Sequence, residues 1–167
     1  GYTSTTDGNQ RTYNIDFPED AVADILVVGG GGAGGTEYIG SGGGAGGLVY
    51  DKGIELSGTY TIKVGRGGVA LSTGNEEDGR ASSIIKDNVE IYTGYGGGNG
   101  GTYYHPDGAS GGSGGGTTWT AGRTLDPNQA IITYSGGSAT KGFPIDKAYG
   151  NKGAVHYNPP NIGLFTA

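Results

Sequence analysis

The sequence predicts an all-β protein: a small β-sandwich-like core combined with a layered bundle of polyglycine-II rods, with no substantial α-helix. Three observations predict it. Glycine supplies 40 of the 167 residues, against roughly 7% in an ordinary protein. The glycines gather into runs of nearly equal length: GGGGAGG (29–35), GSGGGAGG (40–47), GYGGGNGG (94–101), GASGGSGGG (108–116) and the looser SGGSATKG (135–142). Between the runs lie short strand-like segments, and no stretch of a dozen residues carries the i, i+3, i+4 apolar spacing of a helix.

The strand-like segments come in order along the chain. RTYNIDF (11–17) alternates, placing Tyr13, Ile15 and Phe17 on one face. DILVV (24–28) is a continuous apolar run suited to a strand buried on both sides. TYTIKV (59–64) alternates again, with Tyr60, Ile62 and Val64 together. SSIIK and VEIYT flank Asp87-Asn88, which reads as a tight hairpin turn. QAIITY (129–134) and AVHY (154–157) complete the set.

The runs between them have a physical use. A polyproline-II-like rod has three residues per turn and no internal hydrogen bonds, so its N–H and C=O groups point outward. Rods laid side by side satisfy one another, and only glycine permits close approach in every direction. Equal lengths are what stacking in one layer requires. Ala33, Ala45, Asn99, Ser110 and Ser113, which interrupt the runs, are expected to face outward or toward the strands. Leu, Ile, Val and Phe make up only about a sixth of the chain, a composition that borders on disorder. A net charge of only −6 and the clustering of apolar residues argue for a folded chain instead.

Gly29, Gly31 and Gly34 satisfy G-x-G-x-x-G after an apolar strand, and Asp51 lies about where a ribose-binding acid belongs. The fingerprint works only if the turn opens a helix whose N-terminus holds the pyrophosphate. Residues 36–47 contain six glycines in twelve, which leaves a helix there about 6 kcal/mol behind an alanine equivalent. The motif is therefore composition, and no nucleotide is expected. No other cofactor is expected either.

At FPEDAVADILVVGGGGAGG, GGGAGGLVY and LSGTYTIKVGRGG the sequence resembles the glycine-rich domain of phage tail-fibre and adhesin proteins and of fibre-like proteins of large algal viruses. Strand, glycine run, (L/I)(V/I)Y strand and YT(I/V)xVG-x-GG block come in that family's order. The likeness is close over 17–68 and looser to 116. It implies rods of the polyglycine-II type in a layered bundle and a place on a fibre. The chain departs where relatives commonly close with a GVVIIRY-like strand, carrying GNKGAVHYNPPNIGLFTA instead.

One domain over 1–167 is expected, with 1–10 and 158–167 as extended terminal arms. Ile162, Leu164 and Phe165, after Pro159-Pro160, need an apolar home, and Tyr13 and Ile15 lie just behind the other arm. These five are the candidate assembly residues for head-to-tail association. Deletion of 159–167 tests the C-terminal version of that idea. The chain starts at Gly1 and holds no Met, so a natural N-terminus cleaved off or never included is expected.

Candidate chemistry is sparse. No Cys is present, so disulfides and thiolate sites are excluded. His105 and His156 stand alone, which makes an enzyme an improbable reading. Glu76, Glu77 and Asp78 in NEEDG offer a weak calcium site, with a solvated turn as the plainer reading. Tyr103, Tyr104 and Trp119 between glycine runs suit a glycan or protein partner. An acidic chain without a basic stripe excludes nucleic acid, and no apolar run approaches the roughly 20 residues that cross a bilayer. Ice binding needs a regular threonine face that the sequence lacks. The expectation is a non-enzymatic, extracellular, self-assembling fibre subunit whose partner is itself. The alternative is a viral or phage tail-fibre adhesin on a virion surface, recognising a surface glycan or protein receptor.

Overall fold

The computed structural model describes residues 2–6, 8–36, 39–71, 76–118, 133–154 and 156–157. The strands are β1 (Tyr2–Thr6), β2 (Gln10–Val28), β3 (Leu48–Gly65), β4 (Ser82–Lys86), β5 (Val89–Gly94), β6 (Thr133–Tyr134), β7 (Gly142–Phe143), β8 (Ala148–Tyr149) and β9 (His156–Tyr157). One turn of 3₁₀ helix, Ile145–Lys147, is the only helical piece among the described residues. The protein is all-β, as the periodicity predicts.

β2 and β3 form one long antiparallel ribbon, from Gln10 opposite Gly65 to Val28 opposite Leu48. The sequence reads as separate strands at 11–17 and 24–28; the structure joins them across FPEDAVA. The ribbon is interrupted by register shifts between Phe17 and Ala21 and between Ala23 and Ile25, with Asp20, Gly53 and Gly58 at positive φ. Bulges bend and twist a strand. Here they fold the ribbon over, because both of its ends abut the same rods: Gly30, just past β2, donates to the Arg80 carbonyl, and Arg80 donates to Arg66, just past β3. The two halves of the ribbon thus become two leaves, and the sandwich arises from one sheet folded across itself.

The seven-stranded sheet runs β1-β2-β3-β4-β5-β7, and β8 returns to pair with the other end of β3. Between the leaves pack Ile25, Val27, Val49, Leu56, Tyr60, Tyr92 and Ala148. Phe17 meets Tyr60 edge-on at 5.5 Å between ring centroids. The Asp87-Asn88 turn forms as predicted, both residues at positive φ. DILVV, in contrast, is not buried on both sides. Ile25 and Val27 are in the core, but Leu26 is 61% and Val28 46% exposed. Among the described residues no second layer covers that outer face. Val64, grouped in sequence with Tyr60, is likewise exposed because the leaf runs out at the rods.

The glycine runs are rods held by one another. Gly29, Gly32 and Gly35 donate to the carbonyls of Gly47, Gly44 and Ser41, and Ser41, Gly44 and Gly47 donate on to Gly101, Gly98 and Tyr95, at 2.7–3.0 Å. A step of three residues on both partners is the signature of a threefold screw. The remaining groups of the 29–35 rod face other neighbours: Gly30 and Ala33 donate to Arg80 and Glu77, and their carbonyls accept from Gly97 and Gly100. Side chains have no room between rods. A Cβ on Gly32 would sit 2.2 Å from the Gly98 oxygen, and one on Gly44 would sit 2.2 Å from that of Ser113.

Two departures from the sequence reading stand out in the bundle. GASGGSGGG is not one rod. Ala109 and Gly112 donate antiparallel to Asn99 and Gly96, whereas Gly98 and Gly101 donate in parallel to Ser113 and Gly116, so the chain reverses at 112–113. Poor runs also serve as rods: 66–71, 76–81 and 150–154 join through bonds such as Gly68 to Gly31, Glu77 to Val69 and Gly114 to Asn151. Outer rods need glycine only on their inner side. Of the interruptions, Ala45 and Ser110 are exposed, Asn99 and Ser113 partly so, and Ala33 is buried against its neighbours rather than outward.

Segments 29–36, 66–71, 95–102, 113–118 and 150–154 run away from the sheet, and 40–47, 76–81, 107–112 and 135–141 run back. The molecule therefore has two unlike poles. The folded end of the β2–β3 ribbon forms one, and the far ends of the rods form the other.

Candidate functional site

The far pole carries one of the candidate contact groups. Thr102 ends an outgoing rod, its N–H donating to the His105 carbonyl while its hydroxyl accepts from the His105 N–H. This tight turn holds Tyr103 and Tyr104 edge to face at 5.2 Å, with Tyr104 62% exposed and His105 exposed beside it. Trp119, expected to act with them, lies outside the described residues. The rods thus bring the tyrosines together at a tip.

Glu76, Glu77 and Asp78 do not converge. The buried Glu76 carboxylate accepts the Thr36 N–H at 2.9 Å and also the Thr36 hydroxyl. Glu77 pairs with Arg66 at 2.6 Å, and Arg66, followed by burial and Arg80, acts on its carboxyl with a net lowering from the usual range. Asp78 accepts the Asn99 N–H at 2.8 Å, and the Asn99 amide donates to the Glu76 carbonyl. Rod geometry explains this: with three residues per turn, consecutive side chains leave in three directions. Among the described residues no three acidic or histidine side chains gather as a metal site.

The sequence did not single out a polar cluster on the sandwich flank. Lys147 Nζ donates to Asp51 Oδ1 at 3.1 Å, and the Tyr92 hydroxyl donates to Asp51 Oδ2 at 3.1 Å. Lys147 holds the Asp51 carboxyl below its ordinary value, and Asp51 in turn raises Lys147. Burial, then the Asp51 carboxylate, pushes the Tyr92 hydroxyl up to about 12. Asp51 is thus occupied in a structural link between β3, β5 and the 3₁₀ turn. Arg66 is a second unforeseen tie: beside its pair with Glu77, it donates to the Gly8 carbonyl at 2.9 Å. Each partner is far away in sequence, and no local pattern announces such links.

Of the assembly candidates, Tyr13 lies in register between Ser4 of β1 and Ile62 of β3, and Ile15 between Tyr2 and Tyr60. Of the segment at 1–10, residues 2–6 are laid on their own chain, as β1 pairs with β2 from Tyr2 opposite Ile15 to Thr6 opposite Arg11. Ile162, Leu164 and Phe165 lie outside the described residues, as does the whole 158–167 segment.

A family model for the glycine-rich domain matches residues 5–163. The chain belongs to the glycine-rich domain family. No match is found among curated proteins or among solved structures. The match begins within β1 and spans β2 to β9 and every rod described above.

Proposed function

We propose that this glycine-rich domain is a non-enzymatic extracellular structural protein, a subunit that joins copies of itself head-to-tail into a fibre or filament through its terminal segments. One observation carries the reading: the described ends of the chain lie at opposite poles. Tyr2 is paired with Ile15, beside the fold of the ribbon, while Tyr157 follows the outgoing 150–154 rod to the far pole. Their separation along the axis is roughly 40 Å, from the rises of a polyglycine rod and a strand. A contact between unlike poles is heterologous and propagates without closing. Rods whose amides are satisfied by one another make a stiff, chemically inert body for such a subunit. Negative-stain microscopy of the native protein tests this, with unbranched filaments expected and uniform single particles at all concentrations ruling it out.

The Tyr103–Tyr104 pair at the tip, with Tyr104 exposed, favours a second reading, a tail-fibre adhesin on a virion surface. Aromatic faces suit sugar rings and protein partners alike. A glycan array probed with the intact chain tests it: binding that Tyr104→Ala abolishes supports the adhesin, and an array without hits leaves the structural role alone.

A further inference from the structure

One side of β2 is only partly covered. β3 covers one side of this strand throughout, but β1 covers the other only from Arg11 to Ile15. Among the described strands none pairs with that side beyond Ile15. Natural sheets protect such edges with proline, charge and bulges. The edge has all three from Phe17 to Asp20, in Pro18, Glu19, Asp20 and the first register shift; over Ala21–Val28 there is no proline, and the second register shift and Asp24 are the protection that is left. Here the outward apolar side chains are Val22, Leu26 and Val28, at 65%, 61% and 46% exposure, with the exposed Asp24 among them.

The same edge opens onto an apolar groove of about 200 Å³. Ala23, Asp24, Ile25 and Leu26 all line it, facing Tyr60, Ile62 and Ile84. Asp24 and Leu26 point the opposite way from Ala23 and Ile25, so the four share one cavity only where it meets the unpaired side of the strand. An open strand edge beside an apolar pocket is what strand addition uses: main-chain bonds supply affinity and the pocket takes a side chain. An apolar cavity of about 150 Å³ holds a benzene-sized group, so one phenyl ring fits.

We infer that residues 158–167 of a second copy add along Ala21–Val28 of β2, with Phe165 in the groove. This rests on the head-to-tail reading above and supplies its acceptor. Three facts select the occupant. NPPNIGLFTA carries Ile162, Leu164 and Phe165 with no charged side chain, which matches a groove whose lining is mostly apolar. It follows Tyr157 at the far pole, whereas the groove lies at the ribbon's pole. To reach its own groove it would have to run back along the rods and into the sandwich, roughly 30 Å. Ten residues span about 33–36 Å only when fully extended, which leaves almost nothing to lie along the strand. A copy stacked on that pole presents its groove directly.

The chain has no cysteine, so two can be placed at will. Full-length chain carrying Val22→Cys and Thr166→Cys, both beside the contact and outside the pocket, is treated with a short bismaleimide and run under denaturing conditions. The expected result is a ladder of dimers and higher species that falls about tenfold or more when Phe165→Ser is added, the scale of losing a buried aromatic anchor. A monomeric, internally closed product means that the segment fills its own groove and overturns the inference. A ladder indifferent to Phe165→Ser reflects collision and overturns it too. Filaments in the microscope without cross-links refute this acceptor site while leaving head-to-tail assembly intact, and the absence of both filaments and ladder removes the two together.

Discussion

Replacing Gly97 by alanine tests whether the rods hold the fold. A Cβ there would lie 2.0 Å from the Gly44 oxygen and 2.6 Å from that of Ala45, both main-chain atoms in a neighbouring rod. Neither is the end of a flexible side chain, so whole rods must part by about an ångström. The bonds at risk are Gly97 to the Gly30 carbonyl, Gly79 to the Gly97 carbonyl and Gly44 to the Gly98 carbonyl, at 2.7–2.8 Å. A buried donor or acceptor left without its partner costs about 1–3 kcal/mol, so opening all three gives a loss of at least about 3 kcal/mol, a large share of a typical domain's stability. For a chain of this length that is a fall in melting temperature of roughly 6–12 °C. Gly42→Ala is the control, since its Cβ would meet nothing within 4 Å, and a small gain from reduced chain entropy is expected. Urea unfolding of both variants measures the difference. Equal midpoints, within about 0.5 kcal/mol, would refute the claim that close rod contact carries the architecture.

Four further outcomes are expected. The amides of Gly32, Gly44 and Gly98, each bonded to another rod, should exchange with deuterium as slowly as those of the core strands; exchange at random-coil rates would contradict the bundle. The Asp51 carboxyl is depressed in the folded chain, so its contribution is present above its unfolded value near 3.9 and is lost as pH falls through the lower folded value; Asp51→Asn should therefore destabilise at pH 7 and approach the parent at acid pH. Tyr92 behaves oppositely. With its hydroxyl raised to about 12, stability is present below about pH 10 and lost as pH rises toward 12, and an ultraviolet difference titration against Tyr92→Phe should show this tyrosine ionising last; ionisation near 10 would remove the Asp51 link. Glu76, Glu77 and Asp78 face separate partners, so melting should not move between calcium and chelator.

The legible parts of the sequence were those set by local chemistry. The Asp87-Asn88 turn, the alternation through Tyr13 and Ile15, and the absence of helix after Val28 follow from backbone preferences and spacing, and the structure agrees with each. The reading of DILVV failed because period and composition do not say what lies above a sheet face. The single rod assigned to 108–116 failed for a related reason, since glycine permits a reversal anywhere and nothing in GASGGSGGG marks 112–113. The Asp51–Lys147–Tyr92 link joins residues 41 and 96 positions apart, beyond the reach of any local pattern.

The sequence by itself determined that this protein lacks a substantial α-helix and that its glycine runs must seek bonds outside themselves, because a chain so rich in glycine has few side chains to bury and no stable internal ladder. Only the tertiary structure decided which rods touch, that poor segments such as 66–71 and 150–154 join them, and that the ribbon folds to leave one edge of β2 without a partner among the described strands. Those outcomes depend on steric fit between backbones distant in sequence, and glycine, which tolerates nearly every approach, specifies none of them locally.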